Sequence, residues 1–176
     1  MNPFTLISTK KVYENPWISV REDRVVRPGG KEGIFGVVDI AGWSHTVAID
    51  KDNNIYLNRE FCYGMNDYTY RLPWGGMSPW EAPLEAAKKE LREEAGILAD
   101  EWIDLWNMRP LTTVVDNIQY LFLAKNLTLT EQDTEEGEIV DIVSIPFLDA
   151  VKLVISGDIM DASTIIWILK AQKYLS

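Results

Sequence analysis

The sequence predicts a single α/β domain, and three observations predict it. The first third alternates apolar and charged residues in short runs broken by Gly, Pro and Asn. Residues 81–95 switch to helix formers, and the end of the chain is apolar at helical spacing after one more strand-like run. With 176 residues and no repeat, low-complexity tract or linker, the chain can bury one ordinary core and offers no place to be cut, so residues 1–176 are expected to form one unit.

The elements follow in order. WISVREDRVV (17–26) and IFGVVDI (34–40) flank the turn Pro28-Gly29-Gly30 and read as an N-terminal antiparallel β-hairpin. SHTVAID (44–50) and NIYLNREF (54–61) flank Asp52-Asn53-Asn54 and read as a second strand pair. DYTYRLPW (67–74) is aromatic and β-prone. From Glu81 to Ala95 the chain is rich in Ala, Glu, Lys and Leu, with Pro83 tolerable in a first turn and Gly96 where a helix ends. WIDLWNM (102–108), IQYLFLAKNL (118–127) and IVDIVSIPF (139–147) read as strands, and EQDTEEGE (131–138) as an acidic loop. FLDAVKLVISG (147–157) and DASTIIWILKAQKYL (161–175) read as closing helices, the second capped by Asp161 or Ser163.

Composition narrows the function. Hydrophobic residues at 47% and charged residues at 25% describe a folded chain and not a disordered one. A formal net charge of -10 disfavours nucleic acid and anionic lipid as partners, so an anionic ligand needs a local Arg or Lys cluster or a bound cation. Cys62 is the only cysteine, which excludes an internal disulfide and points to a reducing, cytoplasmic setting. No stretch resembles a signal peptide or a membrane span. His45, the only histidine, is expected to be structural, with no cluster that suggests zinc, and Cys62 a packed thiol. The seven tryptophans suit a core, a nucleobase pocket or a dimer interface.

The helix at 81–95 carries the chemistry. Positions i, i+3 and i+4 share a face, so Glu90, Glu93 and Glu94 form one patch and repel one another. Lys88, Lys89 and Arg92 could relieve that repulsion on a solvated face. Alternatively the carboxylates hold a hard divalent cation, Mg²⁺ or Mn²⁺, which prefers oxygen ligands and shares them with phosphates. Leu84, Ala87, Leu91 and Ala95 form the opposite stripe, able to pack on a sheet. Gly75 and Gly76 permit a tight turn into the helix and a close approach to a ligand.

The spacing chooses the second reading. Gly75, five residues, Glu81, seven residues, Lys89-Glu90-Leu91, one residue, Glu93-Glu94, one residue, Gly96-Ile97 resembles the Nudix box, G-x5-E-x7-R-E-U-x-E-E-x-G-U with U apolar, and departs from it only at Lys89. The resemblance implies a Nudix fold, a mixed β-sheet sandwiched between helices (α/β/α). It implies hydrolysis of the pyrophosphate bond of a nucleoside diphosphate linked to another group, with Mg²⁺ or Mn²⁺ as cofactor. It makes Glu90 and Glu94 the principal metal ligands, Glu93 a ligand or the partner of bound water, and the carbonyl of Trp74 a further ligand. Glu81 steadies the loop before the helix, Gly75 and Gly96 shape it, and Glu93, Glu94 and a loop base carry the catalysis. Among Glu135, Glu136 and Glu138, the base is assigned to Glu138.

VYENPWISVREDRVVRPGGKEGIFGVVDI (12–40) and GDIMDASTIIWIL (157–169) are similar to segments of the ADP-ribose pyrophosphatase branch. That likeness implies that residues 1–42 form a β region helping to build a homodimer, beside a catalytic core at 43–176, and that Trp17 and Phe35 sandwich the base. ADP-ribose or a nucleotide sugar becomes the expected substrate; the alternatives are a non-catalytic nucleotide sensor or a nucleoside triphosphate-sanitising enzyme. The chain departs from the branch at Glu60-Phe61-Cys62, where Gln-Tyr-Arg is usual, and at Arg71-Leu72-Pro73-Trp74-Gly75, where Glu-x-Pro-Ala-Gly is usual. Arg59 or Arg71 is then expected to supply the phosphate contact.

Overall fold

The computed structural model describes residues 2–133 and 140–175. Their strands are β1 (Thr5–Glu14), β2 (Ile18–Val26), β3 (Glu32–Ile40), β4 (Trp43–Ala48), β5 (Asn54–Cys62), β6 (Asp67–Arg71), β7 (Trp74–Gly76), β8 (Ile97–Met108), β9 (Val115–Asp116), β10 (Gln119–Leu129) and β11 (Asp141–Pro146). The helices are α1 (Pro83–Ala95), α2 (Phe147–Ser156) and α3 (Ala162–Ala171), the last running into a 3-10 turn at Gln172–Tyr174.

Three sheets result, in the orders β1-β2-β3-β9, β7-β4-β10-β8 and β11-β5-β6. The first two are mixed, since β3 and β9 run parallel, as do β4 and β10, while the other pairs, including both of the third sheet, are antiparallel. Strand alternation makes the layers. Val47 of β4, Ile55 and Leu57 of β5, and Leu121 and Leu123 of β10 pack on Phe147 and Ala150 of α2 and on Trp167 and Ile168 of α3. The neighbouring positions Ala48, Tyr56 and Ala124 face the other way, onto Leu91 and Ala95 of α1. Helices therefore cover both faces of the strands, the α/β/α arrangement expected.

The hairpin of β2 and β3 forms as expected, in register from Ile18↔Ile40 to Val26↔Glu32. β1 is an addition. It pairs with β2 from Thr5↔Val26 to Glu14↔Ser19, yet each of its residues is exposed. A strand with no buried face has no need of alternating apolar residues, which is why its sequence, though rich in β-branched residues, lacks that alternation.

The expected pairing of 44–50 with 54–61 is corrected. β4 and β5 share one isolated bridge, Ile49↔Ile55, and then part into different sheets. The turn chemistry was read correctly but serves another end: Asp50 Oδ1 accepts from the N–H groups of Asp52 and Asn54, and Asn53 takes φ 60°. This tight corner hands the chain from one layer to the other, because both strands are apolar on two faces and each needs its own neighbours.

Pro83 occupies the first turn of α1, and Gly96 at φ 61° closes it with its N–H on the carbonyl of Arg92. Asp161, not Ser163, caps α3, its carboxylate accepting from the Thr164 N–H at 2.7 Å. Thr164 also accepts from the N–H of Leu72, tying the end of β6 to α3.

Gly96 is the most exacting position. A Cβ there would lie 2.6 Å from the carbonyl oxygen of Thr130, in a backbone conformation that L side chains avoid. Gly96→Val is expected to lower unfolding free energy by about 1–3 kcal/mol, measured by urea denaturation. An unchanged denaturation midpoint would contradict this account of the helix end.

Candidate functional site

The loop of β7 and the inward face of α1 build the site together. Gly75 pairs with Ser44 across β4 and β7, and any Cβ at Gly75 would collide with the carboxyl of Glu90. The glycine is thus required by the descent of Glu90 onto the strand. Glu81 accepts from the Ser78 N–H at 3.2 Å, within the loop that precedes the helix.

The three glutamates are not equivalent. Glu94 is 9% exposed, and its Oε2 accepts from Asn58 Nδ2 at 2.8 Å and from the Trp74 N–H at 3.0 Å. Glu93 is half-buried, with Arg92 Nη2 2.9 Å from its Oε1 and Lys89 Nζ 3.6 Å from its Oε2. Glu90 lies 3.9 Å from Lys89 Nζ. Lys88 pairs with Glu85 and Arg92 reaches Asp133, so the solvated-face reading describes the outer side of the helix and fails for Glu94.

Burial drives the Glu94 carboxyl up to about 8; the Trp74 N–H and Asn58 amide pull against that shift, and the charges of Glu90 and Glu60 add to it. Glu90 and Glu93 raise the Lys89 ammonium. His45, 2% exposed on β4, is pushed down to about 3 by burial, which favours the neutral imidazole. Cys62 is a free, half-buried thiol.

A cleft of about 280 Å³ is lined by Trp17, Trp74, Gly75, Gly76, Lys89, Glu90, Glu93 and Glu94. A larger hollow of about 520 Å³, beside Asp50, Lys51, Asp52 and Lys125, contains none of the box residues. Among the described residues no three His, Cys, Asp or Glu side chains already converge as a metal shell. The residues nonetheless fit a hard divalent ion. The donors are all carboxylate oxygens, and the Lys89 ammonium stands between Glu90 and Glu93 where positive charge is wanted. The Lys89 side chain is 53% exposed.

The remaining candidates divide. Trp17 lines the cleft and is 76% exposed. Phe35 does not: it packs edge-on against Phe4, ring centroids 5.3 Å apart, and lines a different hollow. The hairpin register puts Trp17, beside Ile18↔Ile40, well away from Asp23↔Phe35, so the two rings do not face each other within one copy. Arg71 shares the hairpin face of Asn58 and Glu60, whereas Arg59 points from the opposite face, over Tyr68 at 4.4 Å and toward Asp141 at 3.7 Å. Arg71 is already engaged. It pairs with Glu60 at 2.9 Å, lies 3.8 Å from Asp161, and stacks on the Trp74 ring at 4.1 Å, while Trp74 Nε1 donates to Glu60 at 3.3 Å. Glu138, with Glu135 and Glu136, lies outside the described residues.

Asn58 was not singled out from sequence. Its signal was there: an amide in the apolar run Ile55-Tyr56-Leu57-Asn58, where a strand buried on both sides has no cheap place for one. Glu60 was noticed as a departure, and its pairing with Arg71 shows the two unusual residues to be complementary.

Comparison with known proteins bears on this arrangement. Residues 44–164 match the family described as NUDIX domain, and residues 4–38 match the nucleoside diphosphate sugar hydrolase N-terminal domain. The chain is 26% identical over 160 residues to the ADP-ribose pyrophosphatase of Bacillus subtilis (strain 168), covering 90% of this chain and 86% of the other. It is 25% identical over 164 residues to the methanol dehydrogenase activator of Bacillus methanolicus, covering 91% and 88%. The crystal structure of an ADP compounds hydrolase superposes with a TM-score of 0.89 at 20% identity, covering 99% of this chain and 95% of that one, a likeness of fold.

The buried carboxyl of Glu94 has a measurable signature. Its folded value near 8 lies above that of an unfolded glutamate, so between about pH 4.5 and 8 the unfolded chain releases this proton first and stability falls as pH rises. Urea denaturation in chelator across that window is expected to show this decline, and Glu94→Gln to flatten it. Parallel pH profiles for the two proteins would refute the assignment.

Proposed function

The chain belongs to the NUDIX domain family, and from that premise we propose that it is a metal-dependent hydrolase of a nucleoside diphosphate linked to another group, with ADP-ribose or a nucleotide sugar as substrate. One observation carries the reading: Glu90, Glu93 and Glu94 share a single cleft with the exposed ring of Trp17. A chain of net charge -10 attracts a pyrophosphate only if something local reverses the field. Mg²⁺ or Mn²⁺, when bound, would offset the phosphate charge and lower the pKa of the attacking water.

In this reading Glu90 and Glu94 would hold the cation, with Glu93 and the Trp74 carbonyl as further ligands, and Lys89 would be available to the substrate phosphates. Glu138 is the residue proposed to take the proton of the attacking water. Water adds across one phosphoanhydride bond: a new P–O bond forms, the bridging P–O bond breaks, and two phosphate monoesters leave. Arg71, held by Glu60 and Asp161, braces Trp74 rather than meeting phosphate, and Arg59 lies on the far face. Retention of every box glutamate favours the enzyme over the non-catalytic sensor, which has no need of them.

A homodimer completes the proposal. β1 exposes Leu6, Ile7, Val12 and Tyr13, each at least 45% accessible, on a sheet with little of its own core. A second copy is the occupant that suits a region matched to a hydrolase N-terminal domain. In that assembly Phe35 of a second copy, not of the same one, would be the ring opposite Trp17.

Incubation with ADP-ribose and nucleotide sugars is expected to yield two monophosphates only with Mg²⁺ or Mn²⁺ present. Glu94→Gln is expected to lower kcat by about a hundredfold or more, followed by product chromatography. Binding without turnover in both proteins would favour the sensor. Sedimentation should give a dimer, and Leu6→Asp with Tyr13→Asp a monomer; a wild-type monomer at micromolar concentration would refute the assembly.

A further inference from the structure

Asn58 is fully buried in β5, and its amide is only half used: Nδ2 donates to Glu94 Oε2 at 2.8 Å, while Oδ1 has no hydrogen-bond partner among the described residues. A buried amide with its carbonyl unpaired weakens the fold, so packing alone gives no reason for it. The same Glu94 oxygen takes the Trp74 N–H at 3.0 Å. Two donors from different strands, the side chain of Asn58 in β5 and the backbone N–H of Trp74 in β7, thus converge on one oxygen of a residue that lines the cleft. Oε1 is the oxygen that remains.

We propose that Asn58 is a positioning residue for the metal face: with the Trp74 N–H it pins Oε2 of Glu94 and so presents Oε1 alone to the cation. The proposal rests on the hydrolase reading above. It follows the general behaviour of groups that orient ligating carboxylates, whose loss weakens metal affinity without removing a ligand. It also gives the β5–β6 hairpin a part in the site, although neither of its strands carries a box residue. Because Oδ1 is unpaired, Asn58→Leu removes one hydrogen bond and no other, at nearly the same volume.

The test is a Mn²⁺ titration of metal-free protein, read by loss of the free-ion EPR signal, with thermal unfolding of each variant alongside. Asn58→Leu is expected to weaken Mn²⁺ binding about tenfold while the protein stays folded. In the Glu94→Gln background the same substitution is expected to change affinity by less than about twofold, since the oxygen it orients is no longer a charged ligand. Asn58→Ala, which adds no bulk, should give the same pattern and serves if the leucine variant does not fold. Unchanged affinity in a folded Asn58 variant, or an equal loss in both backgrounds, overturns the role of Asn58 while leaving the metal site standing. Wild-type protein that binds no Mn²⁺ overturns both readings together.

Discussion

Everything at the cleft depends on one buried carboxylate. Glu94 enters from α1, yet its oxygen is held by β7 through the Trp74 N–H and by β5 through Asn58. Those strands belong to different sheets, so the side chain joins both sheets and the helix that lies on them. Holding the carboxylate there fixes how closely α1 approaches β7. That closeness leaves no room for a side chain at Gly75, beneath Glu90. A repulsive cluster of acids is tolerated because it is buttressed from behind and faced by positive charge in front.

The chain's departures from its family pattern are coupled. Arg71 and Glu60 each look anomalous alone, but on one face of the β5–β6 hairpin they form an ion pair, and the indole of Trp74 fits between them as a stacked and hydrogen-bonded third member. Both side chains are largely shielded, at 15% and 18% exposure, so losing one partner would strand the other's charge. A larger residue before Gly75 has in effect brought its own support.

Much of this was legible in the sequence where local chemistry decides. The stop at Gly96, a proline in the first turn and the carboxylate spacing of α1 each depend on residues within a turn or two; the structure keeps these, starts the helix at Pro83 and not at Glu81, and settles the cap of α3 on Asp161, one of the two residues the sequence offered. What was not legible depends on partners far along the chain. β1 carries no pattern because it buries no face. The corner at Asn53 announces a turn but not whether the strands beside it will pair. Asn58 and the Arg71–Glu60 pair acquire meaning only when the hairpin register and the helix are superimposed. The face of a strand, which separates Arg71 from Arg59, is invisible until the register is known.

The parallel pairing of β4 with β10 matches Trp43 to Gln119 and continues to Ala48 and Ala124, joining segments about 75 residues apart. The acidic helix, its glycine turn and the two donors to Glu94 all lie between Asn58 and Glu94, on the near side of that closure. During synthesis the carboxylate face is complete in sequence long before its platform can exist. Loop closure over such a span is slow, so the nascent chain must pass through a period in which the glutamates are crowded and no sheet yet braces them. A divalent cation, or the neighbouring Lys89 and Arg92, would offset their repulsion in that interval.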